Sequence, residues 1–409
     1  MADGPGDLPK PPRRIPSWAT VDDEVTAGSR TTIQPRPAPV EPDSPAPRPR
    51  ALGLLTTIPL VVLIISAGVG AGWVLREQTQ GAALSSLDTG TVQKASGPSV
   101  VRVLASTCAG TGEATGVLFD DGKVLTAASA IRQPVSVAVV TTDGRIRRAP
   151  VVGTSDDGVA VLQLAGRLDG STATIATASP DAKASRAIIG FDQSGRQSIQ
   201  QAGTTAQPRP LPEFLDPASL GAPVLNRNGQ VIGLVTGNTV ASGKIIDLDQ
   251  VRRYAGAAPD VAPEPAGNCL ARGPRTAVQP SLSVAASPLA VEVQRLFTSY
   301  FKALNQHDFL AMRDTYSKGL ASSSTQEEFT RTHGTSYAFE PVITEVGGSG
   351  EESATARLTF TVLFSPKSAG AKGTTCSRLD LRYKLVREQG RLRIDAATSV
   401  ASNHSCDTD

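Results

Sequence analysis

The chain has 409 residues, a formal net charge of +2, 40% hydrophobic residues, four Cys and three His. The length points to two or three domains. The near-neutral charge argues against a nucleic-acid-binding protein, which shows a strongly basic domain or stripe, and the composition excludes a wholly disordered chain. The histidines are His307, His333 and His404, so chemistry in the first 306 residues has no imidazole to use.

Residues 1–50 hold 12 of the 30 prolines, with seven basic and seven acidic residues and no apolar periodicity. Such a segment cannot bury enough surface to offset its ordering entropy, so a disordered tail is expected. The closely spaced prolines from Pro35 to Pro49 favour an extended spacer. Thr20 is followed by Val-Asp-Asp, and Thr31-Thr32 by Ile. These resemble bacterial Ser/Thr-kinase sites, and phosphorylation would add charge that a cytoplasmic phosphothreonine reader of the forkhead-associated type recognises through arginines.

Residues 51–75 (ALGLLTTIPLVVLIISAGVGAGWVL) carry no charge over 25 positions. About 20 apolar residues span a bilayer core, so a transmembrane helix is expected. A cleaved signal peptide lies nearer the N-terminus and has a shorter apolar stretch. Arg48 and Arg50 flank the near side, while Arg76 is followed by Glu77. The positive-inside rule therefore puts the N-terminus in the cytoplasm and the bulk of the chain outside it.

Residues 76–92 read as a juxtamembrane linker. All four cysteines follow the apolar segment, and an even number in an oxidising compartment reads as disulfides. Three pairings are possible; proximity along the chain favours Cys108–Cys269 and Cys376–Cys406. No CxxC spacing occurs, so a zinc site is not indicated, and no cofactor is expected.

Residues 93–256 alternate short β runs with Gly, Asp and Pro signals. Strands are expected at 99–104, 115–119, 123–127, 135–140, 159–164, 187–191, 222–226, 230–236 and 244–247, with a closing helix at 249–254. Many short strands argue for an all-β barrel or sandwich.

Four blocks in this region resemble the trypsin-like serine proteases, most closely their HtrA/DegP-like branch. Residues 116–129 (GVLFDDGKVLTAAS) resemble the run ending in T-A-A-H that delivers the catalytic histidine. Residues 151–162 (VVGTSDDGVAVL) resemble the block that delivers the aspartate. Ala187-Ile-Ile-Gly190 resembles an A-I-G strand, and residues 220–235 (LGAPVLNRNGQVIGLV) resemble the S-G-G-P block of the nucleophile. The resemblance implies two six-stranded antiparallel barrels with a cleft between them. It also places Ser129 at the histidine position, Gly158 at the aspartate position and Leu220 at the nucleophile position.

None of these can play its part. A triad needs a nucleophilic oxygen, an imidazole and a carboxylate. Ala218, Gly221 and Ala222 stand in the oxyanion loop, where the family has glycines. Ser219 and Asp157 neighbour the degenerate positions, but no slip of register supplies a histidine. A Ser–Lys dyad with Lys123 or Lys244 stays formally open. The expectation is a pseudoprotease that binds an extracytoplasmic protein or peptide, scaffolds or signals; the rival is an active serine endopeptidase.

Residues 257–287, rich in Ala, Pro, Gly and Ser, read as a linker that a Cys108–Cys269 bond would fasten back to the barrel. Residues 288–409 change pattern. Leu289, Val293, Leu296, Phe297, Tyr300, Phe301 and Leu304 share one helical face, with Pro288 in the first turn. Asp308 can cap a second helix, and a third is expected over 325–331. Strands follow at 337–346, 353–364, 375–386 and 392–399. His307 is expected at a helix end, His333 in a loop and His404 in the tail. Helices followed by a meander make an α+β unit. Its order, and the run FTSYFKALNQHD at 297–308, resemble the NTF2-like (SnoaL-like) superfamily, whose sheet wraps a helix to form a cone.

Overall fold

A computed structural model describes residues 87–409 except 169, 270–277, 349, 370, 402–403 and 407–409. The tail, with Thr20, Thr31 and Thr32, and the apolar segment 51–75 lie outside the described residues. Among the described residues no helix is long and apolar enough to cross a membrane.

The described chain opens with helix α1 (Thr89–Ser96), which begins inside the stretch 76–92 read as linker and runs beyond it. Asp88 caps it by accepting from the amides of Gly90 and Thr91, and Leu87 and Val92 are buried. Strands β1 (Val100–Thr107), β2 (Gly110–Leu118), β3 (Lys123–Ala127), β4 (Pro134–Val140), β5 (Ile146–Arg148), β6 (Val151–Thr154) and β7 (Val159–Gln163) form one sheet in the order β5-β4-β1-β2-β3-β7-β6. Strands β8 (Ser185–Phe191), β9 (Gln197–Thr204), β10 (Pro223–Leu225), β11 (Val231–Thr236) and β12 (Lys244–Ile246) form a second, in the order β12-β11-β10-β8-β9. Helix α2 (Leu248–Ala255) closes it, with Asp247 and Gln250 forming a capping box.

The strand count corrects the expectation of two six-stranded barrels: the sheets have seven and five. In the first, Pro150 offers no N–H and interrupts one run into β5 and β6. In the second, residues 172–184 make a single bridge, Ile175 to Val231, where a further strand would run. Strand β9 (QSIQQAGT) carries too little apolar alternation to be read from sequence; tertiary pairing with β8 makes it a strand.

The linker lies along the first sheet. Ala262 bridges Thr154, and Glu264 accepts from the Gln133 amide (2.9 Å) and the Thr154 hydroxyl (3.0 Å). Cys108 and Cys269 are disulfide-bonded with Cα atoms 5.6 Å apart, as are Cys376 and Cys406 at 5.4 Å.

The last region begins with a two-residue strand, β13 (Ser281–Leu282), and helix α3 (Pro288–Gln306), capped by Ser287. Helices α4 (Phe309–Arg313), α5 (Lys318–Ser322) and α6 (Gln326–His333) follow, with Asp308 capping α4 as its position suggests. His333 ends α6 instead of lying in a loop, because Thr325 caps that helix early enough for two full turns. His307 ends α3 in the left-handed region at φ +52°, its Nε2 2.9 Å from the Ser336 carbonyl. Strands β14 (Tyr337–Gly347), β15 (Ser353–Leu363), β16 (Cys376–Glu388) and β17 (Arg391–Ser399) form an antiparallel meander; β13 pairs in parallel with β14, and β18 (His404–Ser405) pairs with β16. Val293, Phe297, Phe301 and Leu304 of α3 pack on this sheet, with Phe297 4.7 Å from Tyr383 and Phe301 5.0 Å from Phe360 between ring centres.

Residues 87–409 fall into one compact unit. A buried cluster joins Leu104, Ala138, Val140 and Ile146 of the first sheet to Tyr337, Phe339 and Leu363 of the last. Beside it Arg102 bonds Glu113 at 2.6 Å and also pairs with Glu340.

Candidate functional site

Ser129, Gly158 and Leu220, which the family resemblance places at the triad positions, lie near the end of β11. Ser129 lies in a 3₁₀ turn, Ala128–Ala130, directly after β3. The Ala128 amide donates to the Gly158 carbonyl at 2.9 Å, and the Ser129 hydroxyl donates to the Gly237 carbonyl at 2.8 Å. Gly158 turns the chain into β7 at φ +82°, and a Cβ there would sit 3.6 Å from the Thr236 side chain. Gly221 donates its amide to the Val235 carbonyl at 2.8 Å, so the nucleophile-position loop leans on the same strand end.

That loop is a tight 3₁₀ turn, Pro217–Ser219, capped by Asp216. The Asp216 carboxylate accepts from the Ala218 amide at 2.9 Å and its carbonyl from Ser219 at 2.9 Å. The Leu220 amide donates to Pro217 at 3.3 Å, and the Ala222 amide to Ser219 at 3.1 Å. All five amides from 218 to 222 are therefore engaged within the protein. An oxyanion hole needs donors aimed at open space where charge develops. Leu220 itself is buried among Ala127, Ala222 and Val235 in the core of the second sheet.

The neighbouring residues are occupied as well. Ser219 is 4% exposed and donates to the Phe191 carbonyl at 2.9 Å. Asp157 accepts from Tyr254 at 2.5 Å and Gln250 at 2.8 Å, with Lys244 at 3.5 Å. The Tyr254 hydrogen bond is the largest cause holding the Asp157 carboxyl below its ordinary value. Lys123 is buried against Asp121 and donates to the Gly256 carbonyl at 2.7 Å. Ser219 and both lysines thus have partners other than each other.

Thr115 was not singled out by sequence reasoning, yet it fastens this region. Its buried hydroxyl donates to the Ala218 carbonyl (2.9 Å) and accepts from the Phe191 amide (2.9 Å), tying β2 to the nucleophile-position loop and to β8. A separation of 103 residues leaves no local signal for such a contact.

Two cavities lie elsewhere. One, of about 780 Å³, opens among the last region's helices and sheet, lined by Tyr300, Tyr316, His333, Phe360, Leu381 and Tyr383. Burial raises the Tyr300 hydroxyl to about 12 and also pushes the Tyr316 and Tyr383 hydroxyls up, so all three stay neutral at neutral pH. Burial also lowers His333 to about 4, leaving a neutral imidazole at neutral pH. The other cavity, about 640 Å³, lies in the second sheet's region. Neither is lined by Ser129, Gly158 or residues 218–222. Among the described residues no group of three or more His, Cys, Asp or Glu is placed to hold a metal.

Comparison with known proteins bears on the first two sheets. No curated protein matches the chain. Among solved structures, the Rv3671c protease in an inactive form is 22% identical, with 41% of this chain and 94% of that one covered and a TM-score of 0.34. The serine endoprotease from Yersinia pestis is 19% identical, covering 41% and 65%, with a TM-score of 0.36. Rv3671c from M. tuberculosis H37Rv, as a serine-to-alanine mutant in an inactive form, is 21% identical over 41% and 92%, with a TM-score of 0.34. The family described as the trypsin-like peptidase domain matches residues 114–234, which contain Thr115, Ser129, Gly158 and the whole nucleophile-position loop. This stretch, less than half of the chain, is similar to the trypsin-like peptidase domain.

Proposed function

We propose that the chain is a membrane-anchored, extracytoplasmic pseudoprotease that binds or scaffolds a protein or peptide and does not cleave it. One coincidence carries the reading: the chain has no histidine before His307, and the loop that would hold nucleophile and oxyanion hole spends its five amides internally. Neither base nor electrophilic stabilisation is then at hand. Peptide capture by strand addition needs neither. The uncharged run 51–75 supports the anchor, with the Pro-rich tail in the cytoplasm, and the two disulfides support an oxidising compartment.

The test is the full chain, incubated with unfolded casein and with a fluorophosphonate probe. No cleavage and no labelling are expected. Labelling that disappears in Ser219→Ala would establish the rival, an active trypsin-like endopeptidase.

The last region supports a second reading. Helices, then a four-strand meander packed on α3, with a largely apolar cavity of about 780 Å³, suit an NTF2-like cone that holds an uncharged small molecule. Filling the cavity by Leu381→Trp should abolish uptake of a neutral apolar fluorophore; undiminished uptake would rule that role out.

A further inference from the structure

Arg186 stands where β8 and β9 lose register, between the pairs Ser185–Thr204 and Ala187–Gln201. A bulge re-aims a side chain. The residue is 8% exposed, and its guanidinium has no hydrogen-bond or ion-pair partner among the described residues; Nε and Nη2 are shut off from water. Burial, unrelieved by any counter-charge, lowers its proton affinity. A buried charge without a partner is costly enough that proteins normally neutralise it or replace it with an apolar side chain.

The surroundings say what would neutralise it. Arg186 lines the 640 Å³ cavity together with Arg209, Lys244, Ser179 and Thr205. Arg209 lies over the Phe214 ring at 4.5 Å and 3.7 Å from Glu213, and Lys244 lies 3.5 Å from Asp157. The one carboxylate on the wall, Asp247, is committed to the α2 capping box, accepting from the Gln250 amide at 2.9 Å. Three cationic and two hydroxyl-bearing residues thus line a space larger than a bare ion needs. None of residues 216–222 takes part in the lining.

We propose that this cavity is a binding site for an oxyanion, a carboxylate or phosphate group, with Arg186 as its principal ligand. On binding, the Arg186 guanidinium would turn its sealed Nε and Nη2 towards either group as paired N–H donors, while Lys244 and Arg209 supply long-range attraction.

The experiment follows thermal unfolding of the full chain while inorganic phosphate, or separately acetate, replaces chloride at constant ionic strength. Saturable stabilisation by one or both is expected, and the arm that saturates at lower concentration identifies the favoured group. Arg186→Met should weaken it at least tenfold and Lys244→Ala several-fold, whereas Arg227→Ala, an exposed arginine outside the cavity, should leave it unchanged. Stabilisation no greater than in chloride, or a response that persists in Arg186→Met, overturns the proposal. Should Arg186→Met fail to fold, Arg186→Lys decides: it keeps the charge and loses the fork, so an unchanged midpoint overturns the proposal and a weakened one upholds it.

Discussion

Gly221 shows how tightly the nucleophile-position loop is built. It sits at φ +86°, and a Cβ there would lie 2.1 Å from the Thr115 carbonyl oxygen and 2.7 Å from the Ala127 amide nitrogen. Both obstacles are backbone, so nothing can swing aside. Gly221→Ala is expected to cost about 3 kcal/mol or more, read as a lower urea midpoint at unchanged slope. His333 offers a second prediction at this scale. Its imidazole is held down to about 4 by burial first and by the charge of His307 second, against an ordinary value of 6.5. The unfolded chain therefore binds the extra proton first. Stability is fully present above pH 6.5 and is lost as the pH falls from there towards 4. The His333 imidazole should titrate by NMR well below 6, and His333→Phe should flatten the stability loss across that window.

At the level of elements, the join between β1 and β14 depends on Arg102. It is 3% exposed, bonds Glu113 of β2 and pairs with Glu340 of β14. Glu340 takes φ +51° where the β14–β15 register shifts, and that irregularity presents its carboxylate to Arg102. Burial opposes the Arg102 charge, but its two carboxylates outweigh it and hold the guanidinium above its usual value. Removing one partner from such a group leaves an uncompensated buried charge. Arg102→Ala is expected to cost about 3 to 5 kcal/mol, while the double change Arg102→Met with Glu113→Leu should recover much of that loss. A double-mutant cycle by chemical denaturation checks both.

Across the whole molecule, the peptidase-like sheets and the last sheet share a core. Leu104 and Ala138 on one side meet Tyr337, Phe339 and Leu363 on the other, all essentially sealed from water. Shared burial of this kind makes unfolding cooperative across both regions. Residues 87–409 should therefore melt in one calorimetric transition. Leu104→Asp, which places a charge in that join, should split the transition into two and lower the first midpoint by roughly 10 °C. The proposed pseudoprotease would then present its partner-binding face at a fixed angle to the cavity-bearing region.

Local chemistry accounts for much of what was legible before any fold was known. The Asp308 and Ser287 caps, the α3 face and the meander strands follow from side-chain periodicity and capping, which act within a few residues. The missing imidazole was equally plain, since absence needs no geometry. The rest depended on contacts between distant residues. Strand β9 exists because β8 pairs with it, and the β5/β6 break because Pro150 falls within a paired run. The engaged amides of 218–222, the Thr115 clasp 103 residues away and the partnerless Arg186 appear only when the chain is folded, because hydrogen-bond satisfaction and burial are properties of neighbours in space. Sequence alone determined that residues 93–256 contain no histidine; tertiary structure decided that the loop at 216–222 closes on itself and that a buried cation lines a cavity apart from that loop.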